Sequence, residues 1–460
     1  MRLQSLFRRS LSVAALFGAV AGSSLALAAE PAQSVVLSLD EAIERGLTTD
    51  PRIEERLHLV NEARALLQRA EGSDDLIFDV NAFVGLTTQV EGGFFESGTT
   101  TPRSDKHEYN GLTSWTSVQF SIIKPLYTFG KVEHFSDAAK GNIAVKKEDV
   151  RLQRAETTLD VTRAYYGYLT ARDTRYLFED VEGRLQKALD LVERRIEEQQ
   201  GDVRQADLYA LQSGMAIVRR YHARAESVEA IALAGLKMLT GTERNVALEL
   251  ADSRIRPVDL PLEALAELQQ IALKRRPEIN QLQAGLQARR SLVAGHRAGK
   301  LPNVYAGIAG MAAHSPKREK LESPYVYDPF NDYGATPLVG VRWNWASGVQ
   351  AAEVAGANAA LAALAERASF AQQGIPFQVE EQFYHVQGHY KAVAELKEGS
   401  RAARRWMVSR YVDFEAGLEE AEAVLAAFQG YVLIYSDYLM AVNDYNMHVA
   451  RLRHVTGNYL

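Results

Sequence analysis

Glu381, His385 and His389 stand four residues apart, so on a helix they share one face and offer the nitrogen and oxygen donors that hold zinc. A solvated helix carries such a stripe without any ion, and two histidines with one glutamate need no metal to explain them. No metal site is assigned. The chain has no P-loop, HExxH pair, calcium loop or glycine-rich dinucleotide fingerprint, so neither catalysis nor a cofactor is expected. Tyr431, Tyr438 and Tyr445 recur every seven residues, the spacing of packing between helices rather than of a binding ladder. Arg401, Arg404, Arg405 and Arg410, and on an earlier stretch Arg194 and Arg195, read either as solvated helix surface or as pairing points for an acidic partner.

The elements that must position these residues are unusually long. From Gly130 to Gly241 the chain reads as one long helix, a turn at Gly201 and a shorter returning helix; a second copy runs from Gly348 through Gly417 to Gly457. At 1.5 Å per residue each longer arm reaches roughly 100 Å, deeper than any ordinary core. In the first returning arm Leu208, Leu211, Met215, Val218, His222, Ala225, Glu229, Ala232, Leu236 and Leu239 step by three and four, a heptad seam. Val424, Ala427, Tyr431, Ile434, Tyr438, Ala441, Tyr445, His448, Leu452 and Val455 repeat it in the second. Two matched antiparallel coiled hairpins are expected.

Ahead of each long arm the period changes from 3.6 to 2. Phe78, Val80, Ala82, Val84 and Leu86 alternate with Asp79, Asn81, Phe83, Gly85 and Thr87, and Leu112 to Ile122 supplies a partner through Val118, Phe120 and Ile122. The second copy has Val304, Ala306 and Ile308, then Val339, Val341, Trp343 and Trp345, the tryptophans suited to an interfacial belt. Strands of about ten residues cross a bilayer at a tilt, and four cannot close a barrel. Polar positions such as Asn81, Ser117, Gln119 and Asn344 suit a wet interior.

Residues 1–28 read as a signal peptide: Arg2, Arg8 and Arg9, an apolar run, then Ala26-Leu27-Ala28 as a cleavage site. Its removal takes three arginines and no acid, moving the formal charge from −6 to −9, which disfavours a nucleic-acid partner. There is no cysteine, hence no disulfide. Past the leader no apolar run looks long enough for a spanning helix, so any contact with lipid falls to the strands. Ser38-Leu39-Asp40-Glu41 has capping-box spacing, and Asp50-Pro51 and Pro277 open further helices. Those helices, of about 20 residues, stacked on the returning arms, match the long arms in length. Gly374 and Pro376 predict a kink in the second long arm. The organisation expected is a leader (1–28), a first repeat (29–241), a linker (242–261) and a second repeat (262–460).

With these residues in hand, the chain resembles the outer membrane efflux protein family, the TolC-like exit ducts, over essentially all of its mature length. The resemblance rests on Leu39-Asp40-Glu41-Ala42 with Asp50-Pro51, Arg276-Pro277-Glu278-Ile279, Pro125-Leu126-Tyr127 with Gly130, Ala164-Tyr165, Leu301-Pro302, Gly201 and Gly417-Leu418, and Thr240-Gly241 and Thr456-Gly457, in this order and spacing. It implies an α+β membrane protein: a homotrimer whose twelve strands, four per chain, form one transmembrane β-barrel in outer-membrane lipid, continued by a long periplasmic α-helical barrel. It also implies a passive duct whose helical tips, around Gly201, Gly417 and Leu418, dock on a periplasmic adaptor (a membrane fusion protein) attached to an inner-membrane transporter. Asp207 matches an aspartate the family carries after the first tip. Ala423 and Ala426 stand where a gating aspartate pair is expected, and Glu419 where a latching arginine is expected, leaving Asp207, Glu419, Glu420 and Glu422 as the candidate periplasmic gate. A Glu419 facing Asp207 would repel it and leave the mouth unlatched.

The resulting reading is an outer-membrane exit duct of a tripartite efflux pump or type I secretion system. The alternative is a trimeric structural or adhesive coiled-coil protein of the envelope that encloses no pore. A periplasmic adaptor would lack the alternating strands.

Overall fold

The computed structural model describes residues 34–91, 96, 98–102, 108–199, 204–261, 263–320, 325, 327–344 and 346–458. The leader, Gly201, Leu262 and Trp345 lie outside the described residues.

The chain runs through β1 (Ser34–Leu37), α1 (Leu39–Thr49), α2 (Pro51–Glu71), β2 (Ile77–Glu91), β3 (Glu108–Tyr127), α3 (Lys131–Glu197) and α4 (Gln205–Leu239). After β4 (Ala247–Leu250) the same order returns as α5 (Leu265–Arg275), α6 (Pro277–Ala298), β5 (Asn303–His314), β6 (Tyr333–Arg342), α7 (Ser347–Glu415) and α8 (Ala421–Val455). The long arms have 67 and 69 residues and each returning arm has 35.

Local capping sets the helix starts. Ser38 closes its capping box, its hydroxyl accepting from Glu41 N–H while Glu41 accepts from Ser38 N–H. Asp50 caps α2 by accepting from Arg52 N–H, with Pro51 in the first turn where a missing amide proton costs nothing. The same carboxylate accepts from the Thr157 hydroxyl at 2.6 Å, and Arg52 reaches on to Asp160, so the cap also ties α2 to α3. Burial disfavours the charged Asp50, but the hydrogen bonds from Arg52 and Thr157 outweigh it and hold its pKa below the ordinary value. At the corresponding start of α6 the charges are exchanged: Arg276 reaches Glu278 and Gln378.

The heptad seams are the cores of the hairpins. All ten positions in α4 and all ten in α8 are buried or half-buried. Leu177, Leu185, Val192, Leu211 and Met215 of the first hairpin join Met407, Phe414, Val424 and Phe428 of the second in one cluster, so the two hairpins pack on each other. Further along, Val161, Tyr165, Leu236, Val379, Val442 and Tyr445 form the larger cluster. α2 packs on the first part of α3 through Ile53, Val60 and Val150, while α4 packs beyond it; Thr49 lies against Gly241, so the two shorter helices meet end to end along α3. Gly141 brings α3 close to α6, where an added Cβ would stand 2.7 Å from the Ala288 Cβ.

The linker, 242–261, is ordered and packed: β4 pairs in parallel with β1, Leu248 and Leu250 are buried, and Ile255 N–H donates to buried Asp173. Asn446 accepts from Val258 N–H and donates to the Arg256 carbonyl, strapping this segment to α8. At the place of the expected kink α7 passes through Pro376 as one continuous helix, with Ile375 buried beside it and the Pro376 carbonyl accepting from Gln269 of α5. Neighbouring contacts hold the helix together where the proline removes a donor. One expectation is corrected: α8 is apolar and long enough to cross a membrane. Part of its apolar surface is the seam packed against α7 and α3, while Leu433 and Met440 stay exposed.

The other four strands form one antiparallel sheet in the order β2-β3-β5-β6. At 15 and 20 residues β2 and β3 exceed the ten expected. The register sorts the alternation cleanly. Phe78, Val80 and Ala82 stand opposite Ile122, Phe120 and Val118, which stand opposite Ile308, Gly310 and Ala312. Asp79, Asn81 and Phe83 stand opposite Ser121, Gln119 and Ser117 on the other face, followed by Ala309, Met311 and Ala313. One face is therefore apolar, with Val84 82% exposed, and the other mainly polar.

Candidate functional site

Three places bear on function: the end of the hairpins, the polar face of the sheet, and a histidine cluster between α7 and α8. At the hairpin end α7 stops in a left-handed turn. Gly417 has φ +77°, its N–H donates to the Phe414 carbonyl and Leu418 N–H to the Asp413 carbonyl, which satisfies carbonyls the helix leaves free. Leu418 is 78% exposed at the turn. On the first hairpin α3 ends before Gln199, itself at φ +55°, and the proposed turn at Gly201 is outside the described residues.

Three of the four acids of this region, Asp207, Glu419 and Glu420, pair with arginines of the same chain. Arg204, at the N-cap of α4, lies 3.6 Å from Asp207 and 3.3 Å from Glu420, bridging the two hairpins. Asp207 also accepts from Arg204 N–H at 2.9 Å, so it serves the start of its own helix. Glu419 pairs with Arg410 of α7. Asp207 and Glu419 are thus each engaged by an arginine of the same chain. Glu420 occupies the N-cap position of α8 and Glu422 sits in its first turn, where a negative charge is favoured by the helix dipole.

Arginines expected to await a partner are partly engaged within the chain. Arg195 donates to the Phe414 and Glu415 carbonyls, and Arg401 pairs with Glu398. Tyr431 and Tyr445 are buried in the seam and Tyr438 is half-buried, in keeping with packing; Tyr435 stacks on Tyr431 at 5.6 Å. Burial raises the Tyr431, Tyr438 and Tyr445 hydroxyl pKa values.

On the sheet, Asp79, Asn81, Gln119, Ser121 and Thr336 line one concavity with Tyr327 and Asp332. Trp343 is exposed just past β6 and its indole N–H donates to the Lys300 carbonyl.

The helix stripe of Glu381, His385 and His389 acquires a member that local spacing could not show. His448 of α8 stacks with His385 and with His389, its ring centroid 4.6 Å from each. Burial first, then the neighbouring imidazoles and Arg451, pushes His448 down to about 4. Glu381 is not part of the cluster of close donor atoms.

The chain is thus two long helical hairpins packed side by side and joined to an open antiparallel sheet. Residues 90–242, from the end of β2 to the end of the first hairpin, match the outer membrane efflux protein family. The resemblance drawn from the sequence thus rests on a direct match over that stretch. Among curated protein sequences none matches this chain at a significant level. Solved structures similar to it include a membrane protein from Pseudomonas aeruginosa (17% identity, TM-score 0.72, covering 91% of this chain and 93% of that one). The Campylobacter jejuni CmeC outer membrane channel is similar at 12% identity and TM-score 0.73, covering 92% and 86%. The Neisseria gonorrhoeae MtrE outer membrane channel, solved in an open state, has 16% identity and TM-score 0.71, covering 92% and 89%. At these identities the likeness is one of fold.

Proposed function

We propose that this chain is one subunit of a homotrimeric outer-membrane exit duct, without catalysis of its own, serving a tripartite efflux pump or a type I secretion system. The observation that carries the reading is the four-stranded sheet, apolar on one face and mainly polar on the other, whose outer strands β2 and β6 keep open edges among the described residues apart from one isolated bridge from Val90 to Arg318. Open edges cannot face lipid, so the sheet must close with those of neighbouring subunits, and with three subunits, as the resemblance implies, the result is a twelve-stranded barrel. The apolar face then meets the bilayer and the face of Asn81 and Gln119 lines a wet lumen, which favours a conducting duct over a purely structural trimer. Along the hairpins Ile231, Met238, Leu433 and Met440 are exposed, apolar surface suited to the neighbouring subunits of a helical barrel in the periplasm.

In this reading the hairpin ends at Gly201, Gly417 and Leu418 dock on a periplasmic adaptor coupled to an inner-membrane transporter. Asp207, Glu419, Glu420 and Glu422 form the periplasmic gate, with Arg204 and Arg410 as its internal counterions. Four acids against two arginines leave the mouth negative, and threefold symmetry repeats the excess around the axis. The test is to extract the protein from outer membranes in mild detergent, measure its mass, and reconstitute it in planar bilayers. A trimer with cation-preferring conductance is expected. A monomer, or a trimer that does not conduct, would refute the duct.

A further inference from the structure

His385 and His389 lie one turn apart on α7, and His448 reaches them from α8 across the 58 residues, 390–447, that separate it from His389. One ring nitrogen from each of the three lies within 4.8 Å of the other two. We propose that these three imidazoles form a binding site for a single divalent late-transition cation, of the class of Zn2+, Ni2+ or Cu2+, that joins α7 to α8.

The donor set selects the class. Imidazole suits these ions, whereas calcium and magnesium call for oxygen ligands. The tautomer is arranged for it: His448 Nδ1 lies 3.0 Å from the Gln382 side-chain oxygen, and donation of Nδ1–H to that acceptor leaves the Nε2 lone pair free. Gln382 is thus a positioning residue for the ligand. An ion held at ~2.0–2.1 Å by two imidazoles sets their nitrogens roughly 3.3 Å apart, so the rings must draw together from the spacing they have without it. His385 is exposed and His389 and His448 are half-buried, which leaves room for that rotation and a fourth position open to water.

Such an ion would act as a cross-link in the second hairpin. The first hairpin has no equivalent among the described residues, its nearest counterpart being the His222–Glu182 pair at 2.7 Å. The site is therefore specific to one of the two hairpins, and it does not depend on the duct reading.

The probe is Zn2+, titrated calorimetrically into the full-length detergent-solubilised protein, purified without a histidine tag, with bound zinc counted after desalting. One Zn2+ per chain and a rise in Tm on binding are expected. His448→Gln should weaken binding about tenfold or more, and His385→Gln, at an exposed ring with no part in the core, should do the same with Tm of the metal-free protein unchanged. Gln382→Ala should weaken it by a smaller factor. Absence of stoichiometric binding, or binding that persists in the His385→Gln/His389→Gln variant, would overturn the proposal.

Discussion

Arg195, near the end of α3, donates through Nη2 to the Glu415 carbonyl at 2.6 Å and through Nη1 to the Phe414 carbonyl at 3.3 Å. One guanidinium thereby closes the last turn of α7, a helix that ends 220 residues later in the chain, and holds the two hairpin ends in register. A charged donor on free helix carbonyls also complements the negative end of the dipole. Arg195→Ala should cost about 1–3 kcal/mol locally. Amide exchange at 412–418 should quicken while the sheet stays protected; unchanged exchange there would mean that Arg195 does not hold the tip.

Gly417 has a conformation that a branched side chain adopts only at a cost of about 1–2 kcal/mol. Gly417→Val should leave the trimer and its insertion intact while lowering export and cross-linking to the adaptor. Export at the parental rate would remove this turn from docking.

Glu419→Arg separates two accounts of the mouth. Were Asp207 facing Glu419, the new arginine would latch the pore. Because Glu419 pairs with Arg410 and Asp207 with Arg204, the substitution instead sets two guanidinium groups together and leaves Arg410 without its acid. Resting conductance should rise, most at low salt where screening is weakest. A fall would restore the facing arrangement. Arg204→Ala, which frees both Asp207 and Glu420, should raise conductance and sharpen cation preference.

Asp50 gives the pH dependence of the α2 and α3 junction. Its folded pKa lies below the ordinary value of 3.8, so the stability it adds is present above that value and is lost as pH falls through the folded pKa. Asp50→Ala should cost about 1–2 kcal/mol at neutral pH through loss of the cap and should flatten the fall in Tm below pH 4. Equal acid sensitivity in parent and variant would assign the transition to other carboxylates.

If residues 1–28 are a leader, the mature N-terminus should be Ala29, read by terminal sequencing of the membrane-extracted protein. A chain retaining Met1 would contradict export by this route.

What the sequence by itself determined is whatever short-range chemistry controls. The three-four stepping of Leu208 to Leu239 and Val424 to Val455 specified which helix faces are buried, since a heptad admits one stripe. Alternation from Phe78 to Leu86 specified a two-faced strand, and Ser38-x-x-Glu41 and Asp50-Pro51 specified helix starts, because caps act within three residues. Only the tertiary structure decided the pairings between distant stretches. β1 with β4, Arg204 with Glu420 and His448 with His385 each join segments whose sequence spacing carries no periodic signal. The acids at the tip could be enumerated from the chain, but their counterions could not. A carboxylate's partner is the guanidinium that packing brings nearest, and packing of two hairpins is a property of their whole seams. For the same reason Pro376 sits inside a continuous helix: a broken hydrogen bond is a local term, and the contacts of α7 with α5, α6 and α8 outweigh it.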